Sequence, residues 1–282
     1  MTEVIKEFPY LDKGYVRLLM VSGSDDLIAK AARTSYGEDE YEDYDKNKGL
    51  ISYLYEHRHT SPFEMPNITV QIKLPIFIMR QLVRHRTARL NEQSARYKPM
   101  SRDYWKPSLE RLGGVSKTHK QGTGALLPLG TRVACLEVIE RASERALADY
   151  ELLVRNGLAL EVARVIMPVN FYTTTVWQID INNGLKFLTL RSHEGAQQEI
   201  ADFAAILEDI IKEYFPMTYD AYVNHNKQAV QFSRDEISIV KSYIAQRLAT
   251  GEFESIEDYI TSLPDISKRK KMDLIAKFNK EE

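Results

Sequence analysis

The clearest pattern of apolar and polar residues along the chain lies in residues 67–74, NITVQIKL, where the two types alternate without exception. Strict alternation is typical of a strand with one buried face, more often in an antiparallel than in a parallel sheet. Pro75 follows and is predicted to end the strand. Residues 14–21, GYVRLLMV, also favour a strand. The pattern therefore predicts a small antiparallel sheet.

Most other segments have apolar residues at helical spacing. Helices are predicted over residues 24–34, 50–57, 132–155, 158–167, 180–190, 194–214 and 233–248, and from Ile76 onward. Ser24 is a predicted N-cap, and Ser233 with Glu236 forms a predicted capping box. The predicted fold class is α+β, a small antiparallel sheet packed with several helices.

Two stretches lack a core pattern. Residues 37–49 are acidic, and residues 101–131 include the Gly-, Ser-, Thr- and Lys-rich run GGVSKTHKQGTG, so both are predicted to be loops. A loop as long as the second is usually either functional or disordered, and both interpretations remain open.

Composition narrows the class of protein. The chain has 282 residues, of which 44% are hydrophobic and 28% charged, with a net charge of −2, as in an ordinary globular protein. This charge gives no general attraction for nucleic acid, so any basic site is local. A single cysteine, no apolar run for a signal peptide and no stretch near the ~20 apolar residues of a membrane span predict a cytoplasmic protein without membrane partners.

Several kinds of chemistry find no support in the sequence. The histidines are scattered, and no His-x-x-x-His, Cys-x-x-Cys, G-x-G-x-x-G or P-loop motif occurs, so neither a metal site nor a Rossmann domain is predicted. Cys135 lies in RVACLEVIERA, a helical core pattern, whereas a nucleophilic cysteine needs an exposed, electropositive setting. A structural role is predicted for Cys135.

A basic cluster stands out in residues 84–97, RHRTARLNEQSARY. Its cationic or imidazole side chains are Arg84, His85, Arg86, Arg89 and Arg96, and Asn91, Glu92 and Ser94 lie among them. One interpretation is a solvated helix face. However, the cluster directly follows the apolar run LPIFIM, and a helix continuing from Ile76 would place Gln81, Arg84 and His85 on one face. Because guanidinium groups bind phosphate in a bidentate way, the cluster indicates a site for a phosphorylated nucleotide.

The same segment resembles the signature of the flavin-dependent thymidylate synthases, in which Arg-His-Arg, here Arg84-His85-Arg86, is followed by seven residues and a serine, here Ser94. Further segments resemble the family in the same order: LDKGYVRL, AARTSY, HTSPFE, LEVARVIMPVNFYT and LTLR. The resemblance covers roughly residues 10–225. It implies a catalytic domain over residues 1–225, with a helical C-terminal extension over 226–282.

The resemblance also implies an activity and its participants. These are conversion of dUMP to dTMP, FAD as cofactor, NADPH and 5,10-methylenetetrahydrofolate as co-substrates, and a homotetramer with active sites between subunits. The implied dUMP residues are Gln81, Arg84, Glu92, Ser94, Arg96, Arg164 and Arg191. The implied FAD residues are Ser35, His59, Ser61, Arg84, His85, Arg86, Asn91 and Glu92.

The chemistry of these groups agrees with those roles. A phosphate dianion binds two or three charge-assisted donors, which Arg96 and Arg164 offer. The carbonyls and N–H of uracil suit Arg191 and Gln81, and Arg191 would stabilise an enolate as the catalytic residue. Without the family, an ion pair with Glu161 explains Arg164 equally well.

The chain departs from the family pattern after LTLR. The family usually has Asp-x-His-Ala-Gln there, whereas this chain has Gly195 in place of the flavin-contacting histidine and His193 two positions earlier. Two positions on a helix correspond to a rotation of about 200°. Lys186, Asn182 and Arg89 also differ from the usual residues.

These departures motivate a second hypothesis, a divergent paralogue that binds a pyrimidine nucleotide and transfers a hydroxymethyl group or does no chemistry. A third hypothesis is a non-enzymatic nucleic-acid binder that uses the basic cluster. Such a protein would bind oligonucleotides with an affinity that falls steeply as the salt concentration rises.

Overall fold

A computed structural model describes residues 5–35, 37, 44–117, 122–193, 195–249, 255–264, 268, 271, 272, 274 and 275. The chain divides into two compact units, Met1–Gln228 and Ala229–Glu282. The strands are β1 Lys6–Tyr10, β2 Gly14–Ser22, β3 Asn67–Pro75, β4 Arg89–Glu92, β5 Gly113–Val115, β6 Thr123–Leu126 and β7 Tyr172–Asp180. The α-helices are α1 Asp25–Thr34, α2 Tyr44–Glu56, α3 Ile76–Leu82, α4 Leu129–Arg155, α5 Leu160–Ala163, α6 Ile181–Arg191, α7 Gln198–Tyr214, α8 Pro216–Tyr222, α9 Arg234–Ala249 and α10 Ile256–Ser262.

A five-stranded sheet forms the centre of the first unit, in the order β1-β2-β3-β7-β4 with every neighbouring pair antiparallel. The four apolar side chains of β3 are between 0% and 1% exposed, and they share one face: Ile68, Val70, Ile72 and Leu74. The strand, its alternation and the predicted α+β class are confirmed.

An aromatic cluster joins the sheet to the helices that cover it. Trp177 of β7, Phe187 of α6 and Phe203 of α7 pack with ring centroids 5.5–5.7 Å apart. Each of these pairs contributes about 0.5–1.5 kcal/mol beyond its buried area. The cluster therefore fixes the end of α6 and the start of α7, which both carry candidate site residues.

Several predicted helices are confirmed, with small shifts at their ends. These are α1, α4, α6, α7 and α9. The capping box of α9 is present, because Ser233 N donates to Glu236 Oε2 at 2.8 Å and Glu236 N donates to Ser233 Oγ at 3.3 Å. Ser24 is the N-cap residue of α1, as predicted, although its side chain makes no capping hydrogen bond.

Three local predictions need correction. Helix α2 begins at Tyr44, so the predicted loop does not extend to residue 49. The helix predicted over 158–167 is divided into α5 and a 3-10 turn over Arg164–Ile166. The turn ends at Met167, which precedes a proline and therefore has extended backbone (φ −78°, ψ 126°). The segment 101–131 is not a simple loop, since β5 and β6 pair within it as an antiparallel hairpin.

The second unit is described in part. It contains α9 and α10, and Ser255 caps α10 by accepting a hydrogen bond from Asp258 N at 3.0 Å. Most of the basic C-terminal tail lies outside the described residues. Among the helices that the structure describes, none combines the length and the apolar character needed to cross a bilayer.

Candidate active site

The Arg-His-Arg segment lies just beyond the end of α3. That helix ends at Leu82, and Arg84 N and His85 N donate to the carbonyls of Gln81 and Leu82, three residues back, at 3.2 and 3.1 Å. Hydrogen bonds to i−3 tighten the backbone and end a regular helix. The prediction of a helix that continues through His85 is therefore wrong, and Arg84 leaves the helix end with its side chain exposed.

The second half of the basic cluster forms an edge strand. All four residues of β4 are exposed, and the strand pairs only with β7 in the sheet order. Three hydrogen bonds that involve side chains of β7 hold β4 in place. Arg89 Nη1 donates to Gln178 Oε1 at 3.3 Å, Thr173 Oγ1 donates to Glu92 Oε1 at 2.8 Å, and Thr175 Oγ1 donates to the Asn91 carbonyl at 3.2 Å. The strand thus presents Asn91 and Glu92 from a fixed backbone.

An open cavity of about 760 Å³ lies between these elements, within the range of small-molecule sites. It is lined by Ile76, Met79, Arg80, Val83, Arg84, Glu92, Gln93, Ser94, Ala95, Met100, Ser101, Arg164, Met167, Tyr172 and Thr173. In the part of the chain that the structure describes, Arg80, Arg84 and Arg164 form no ion pair. Three guanidinium groups without counter-ions suit an anionic ligand.

Arg96 lies beside this cavity and is already paired. Its Nη2 is 2.9 Å from Glu161 Oε2, and the two side chains are 55% and 51% exposed. The pairing of Glu161 with Arg164, which the sequence left open, is therefore not formed. Exposed pairs of this kind contribute about 0–1 kcal/mol, so a phosphate can displace Glu161 at small cost.

Arg191 and His85 form a second group of candidate residues. Arg191 ends α6, and its Nε donates to His85 Nε2 at 3.0 Å, while the imidazole lies against Phe187 with centroids 4.6 Å apart. Burial, with a contribution from the Arg191 charge, lowers the pKa of His85 to about 4. His85 is therefore neutral at pH 7 and able to accept the hydrogen bond that holds Arg191 in place.

Gln81 belongs to this second group as well. Its Nε2 donates to Gln197 Oε1 at 2.6 Å, and neither Gln81 nor Arg191 lines the cavity. The seven sequence-predicted dUMP residues thus divide within one chain. Arg84, Glu92, Ser94 and Arg164 line the cavity, Arg96 lies next to it, and Gln81 and Arg191 lie at the junction of α3, α6 and α7.

The remaining sequence-predicted flavin residues lie at exposed ends of elements. Ser35 is the C-cap of α1, Ser61 begins a 3-10 turn over Ser61–Glu64, and His59 lies two residues before that turn. Arg86 is exposed, with no ion pair among the described residues. Exposed guanidinium, hydroxyl and imidazole groups are the donors that a diphosphate and a flavin ring accept from, so the residues present fit FAD.

The departure at Gly195 has a structural explanation. Residues 192, 193 and 195–197 lie between α6 and α7 and are not helical, so the rotation of 200° expected for a helix does not apply. Gly195 N donates to His193 Nδ1 at 3.0 Å, and a Cβ built on Gly195 would lie 3.4 Å from the same atom. The exposed imidazole of His193 therefore folds back over position 195.

Some functional candidates were missed from the sequence. Arg80 and Tyr172 line the cavity, and Arg80 could have been found from its spacing, four residues before Arg84. Tyr172 donates to Asp12 Oδ1 at 2.5 Å, a contact across 160 residues that no local pattern reveals. Cys135 is half-buried on α4 and does not line the cavity. No group of three metal-ligating side chains occurs among the described residues.

Comparison with known proteins identifies the family. Residues 17–217 match the family model described as thymidylate synthase complementing protein. The flavin-dependent thymidylate synthase of Anaplasma marginale (strain St. Maries) is 39% identical over 253 residues, which cover 90% of this chain and 85% of the relative. That of Wolbachia pipientis wMel is 38% identical over 251 residues, which cover 89% and 88%.

A solved structure agrees with these relatives. The UMP/dUMP methylase PolB from Streptomyces cacaoi, bound with 5-Br dUMP, matches with a TM-score of 0.70 and 32% identity, covering 77% of this chain and 97% of PolB. The resemblance drawn from the Arg-His-Arg segment is confirmed. The chain belongs to the flavin-dependent thymidylate synthase family.

Proposed function

We propose that the cavity beside β4 holds the phosphate of dUMP in this FAD-dependent thymidylate synthase, and that Arg191 and Gln81 contact the uracil ring. The enzyme converts dUMP to dTMP, with FAD as cofactor and NADPH and 5,10-methylenetetrahydrofolate as co-substrates. The observation that carries the assignment of the site is a set of three guanidinium groups, Arg80, Arg84 and Arg164, which line a cavity of nucleotide size and form no ion pair with any residue that the structure describes. The pyrimidine nucleotide bound to PolB supports the same class of ligand.

The phosphate contacts follow from charge. A dianion needs two or three charge-assisted donors, and Arg84 and Arg164 supply them together with the hydroxyl of Ser94. Arg96 joins them when the phosphate replaces Glu161 as its partner. Glu92 is the one carboxylate among the described residues of the cavity wall. It accepts a hydrogen bond from Thr173 and suits a hydroxyl of the sugar better than the phosphate.

The uracil chemistry depends on Arg191. As the C5 carbon of uracil becomes nucleophilic, negative charge develops on a ring carbonyl, and a guanidinium held beside it stabilises this charge. The hydrogen bond to neutral His85 fixes the orientation of Arg191 before substrate binds. The hydride that completes the methyl group would come from bound FAD after its reduction by NADPH, and the carbon would come from the folate.

Eight residues are proposed to hold FAD: Ser35, His59, Ser61, Arg84, His85, Arg86, Asn91 and Glu92. The exposed cations offer donors to the diphosphate, and the imidazoles and amide offer hydrogen bonds to the flavin ring. Together with the dUMP residues they lie in residues 1–225, which we propose as the catalytic domain, with 226–282 as a helical C-terminal extension. A cytoplasmic location belongs to the same proposal.

The proposed assembly is a homotetramer with active sites between subunits. Two observations support it. Within one chain, Gln81 and Arg191 do not line the cavity. An exposed apolar surface runs along α4 and the segment that follows, at Leu129, Val133, Val138, Leu152, Val165 and Val169. Activity should disappear when the protein is diluted to monomers, as followed by light scattering. Full activity in a monomer contradicts the assembly.

The identity of the product separates this function from the paralogue that Gly195 and Lys186 suggested. Purified protein is incubated with dUMP, FAD, NADPH and 5,10-methylenetetrahydrofolate, and the nucleotide is identified by mass. A product heavier than dUMP by one methylene unit is expected. Unchanged dUMP or a hydroxymethyl product contradicts the proposal.

A further inference from the structure

A chain of hydrogen bonds begins at a buried carboxylate outside the cavity. Glu199 lies in the first turn of α7 and is 2% exposed. Arg111 donates to both of its oxygens, from Nε to Oε1 at 2.7 Å and from Nη2 to Oε2 at 3.3 Å. Arg111 also donates to Thr123 Oγ1 of β6 at 2.5 Å. The segment 101–131 is therefore attached to the core at Glu199.

Two amide side chains extend this chain to α3. Gln197 Nε2 donates to Glu199 Oε2 at 2.7 Å, and Gln81 Nε2 donates to Gln197 Oε1 at 2.6 Å. A carboxylate paired with a guanidinium only accepts hydrogen bonds, so the amide that meets it must present its NH₂ group. The carbonyl of Gln197 then necessarily faces Gln81, and Gln81 must also present its NH₂ group. The charge at Glu199 thus sets the direction of both amides.

The orientation of the Gln81 amide decides which of its polar atoms can bind a ligand. Its NH₂ is used by Gln197, whereas its Oε1 accepts no hydrogen bond from the residues that the structure describes. Arg191, the neighbouring candidate, has only donors to offer. Uracil presents carbonyl acceptors on either side of an N3–H donor, so a donor-only arginine and a glutamine carbonyl match it. Cytosine has an acceptor at N3 and an amino group at C4, and it does not match.

We propose that Glu199 and Gln197 are positioning residues that hold Gln81 with its carbonyl oxygen toward the substrate, so that the site accepts a pyrimidine with an N3–H and rejects cytosine. The inference rests on the proposed function, which places Gln81 at the uracil ring. It also gives the segment 101–131 a role, because Arg111 holds the carboxylate of Glu199 in place through two hydrogen bonds.

The test measures discrimination rather than activity alone. The dissociation constants of dUMP and dCMP are determined on the FAD-loaded full chain for wild type and Gln197→Met, which removes the amide but keeps the side-chain length. We expect the ratio of the dCMP constant to the dUMP constant to fall about tenfold, the effect of one misdirected buried hydrogen bond. Gln198→Met is the matched control, since Gln198 is exposed and donates only to Asp202 on the solvent side.

Two further variants identify the route of the effect. Glu199→Gln keeps the side-chain shape but no longer sets the direction of Gln197, so it should lower the same ratio. This variant provides the test if Gln197→Met folds poorly. In Gln81→Met the ratio also falls, and adding Gln197→Met should cause no further loss, because Gln197 acts through Gln81.

The outcomes are distinct. The inference is overturned if the ratio is unchanged in Gln197→Met and Glu199→Gln. It is also overturned if the losses multiply in the double variant of Gln81→Met and Gln197→Met. In either case, dUMP binding by wild type leaves the proposed function intact. Failure of wild type to bind dUMP contradicts the proposed function itself.

Discussion

Strand β3 and the basic segment 84–97 are separated by a single seven-residue helix, yet the two stretches serve opposite purposes. In β3 every second side chain is buried in the core. In the basic segment most side chains are exposed, and those of Arg84 and Arg86 form no ion pair within the described residues. The strand contributes to stability through buried apolar area, at about 25 cal/mol per Å². The basic segment instead presents exposed charged groups that can bind a ligand.

This difference between β3 and the basic segment indicates which substitutions should lower stability and which should lower binding or catalysis. Backbone hydrogen bonds at the turn after Leu82 and the pairing of β4 with β7 hold the backbone of the basic segment, so the exposed side chains of Arg84 and Arg86 are not needed to hold it. Changes in the core should therefore lower stability, and changes in the basic segment or at Arg191 should lower binding or catalysis. The following predictions run from the largest expected effect to the smallest.

Phe203→Ala tests the core side of the comparison. Phe203 is fully buried against Trp177 and Phe187, so truncation leaves a cavity and should lower the free energy of unfolding by about 3–5 kcal/mol. Urea unfolding followed by circular dichroism measures it. A loss below about 1 kcal/mol would show that this cluster is not a close-packed core.

Arg191→Ala tests the site side. Removing a donor that stabilises developing charge should lower kcat by about 10²–10³. The melting temperature should change little, because the lost partner is the neutral acceptor His85. Steady-state kinetics on the FAD-loaded enzyme measure kcat. Arg191→Lys keeps the charge but not the planar fork, and it should recover only part of the rate. Wild-type kcat in Arg191→Ala would remove Arg191 from the mechanism.

The pH dependence of stability tests the Arg191–His85 contact. The pKa of His85 falls from 6.5 in the unfolded chain to about 4 in the folded protein. Between those values the unfolded chain binds a proton that the folded protein does not, so the free energy of unfolding decreases as pH falls from 6.5 toward 4. In His85→Gln this decrease should be shallower. Equal slopes for the two proteins, from urea unfolding at several pH values, would contradict a buried neutral imidazole.

Glu161→Gln should produce the smallest effect on stability and sharpen the comparison at the rim of the cavity. Breaking an exposed pair should change the free energy of unfolding by less than about 1 kcal/mol. Because Arg96 then has no competing carboxylate, the KM for dUMP should fall a few-fold. Glu151→Gln, which breaks the exposed pair with Arg102, is the matched control. A rise in KM would show that Glu161 helps to hold the substrate.

The sequence allowed prediction where the signal is local. The alternation in residues 67–74 predicted β3. The resemblance of the segment from Arg84 to Ser94 indicated the family and three of the cavity residues, and the resemblance of LEVARVIMPVNFYT indicated the fourth, Arg164. Residues joined only by folding could not be predicted this way. Arg96 meets Glu161 across 65 residues, and Gln81 meets Gln197 across 116. The hairpin of β5 and β6 has glycines in place of alternating apolar residues, and the turn at Gly195 depends on a hydrogen bond to the His193 ring.

The most direct test of the site is a calorimetric titration of dUMP into FAD-loaded wild type, Arg164→Ala and the control Arg155→Ala, which changes an exposed arginine at the end of α4. We predict that wild type and Arg155→Ala bind dUMP equally well. Arg164→Ala should bind about 10–100-fold more weakly at an unchanged melting temperature, the loss expected for one charge-assisted phosphate contact. Equal affinity in Arg164→Ala and wild type would contradict the assignment of the cavity to the nucleotide phosphate.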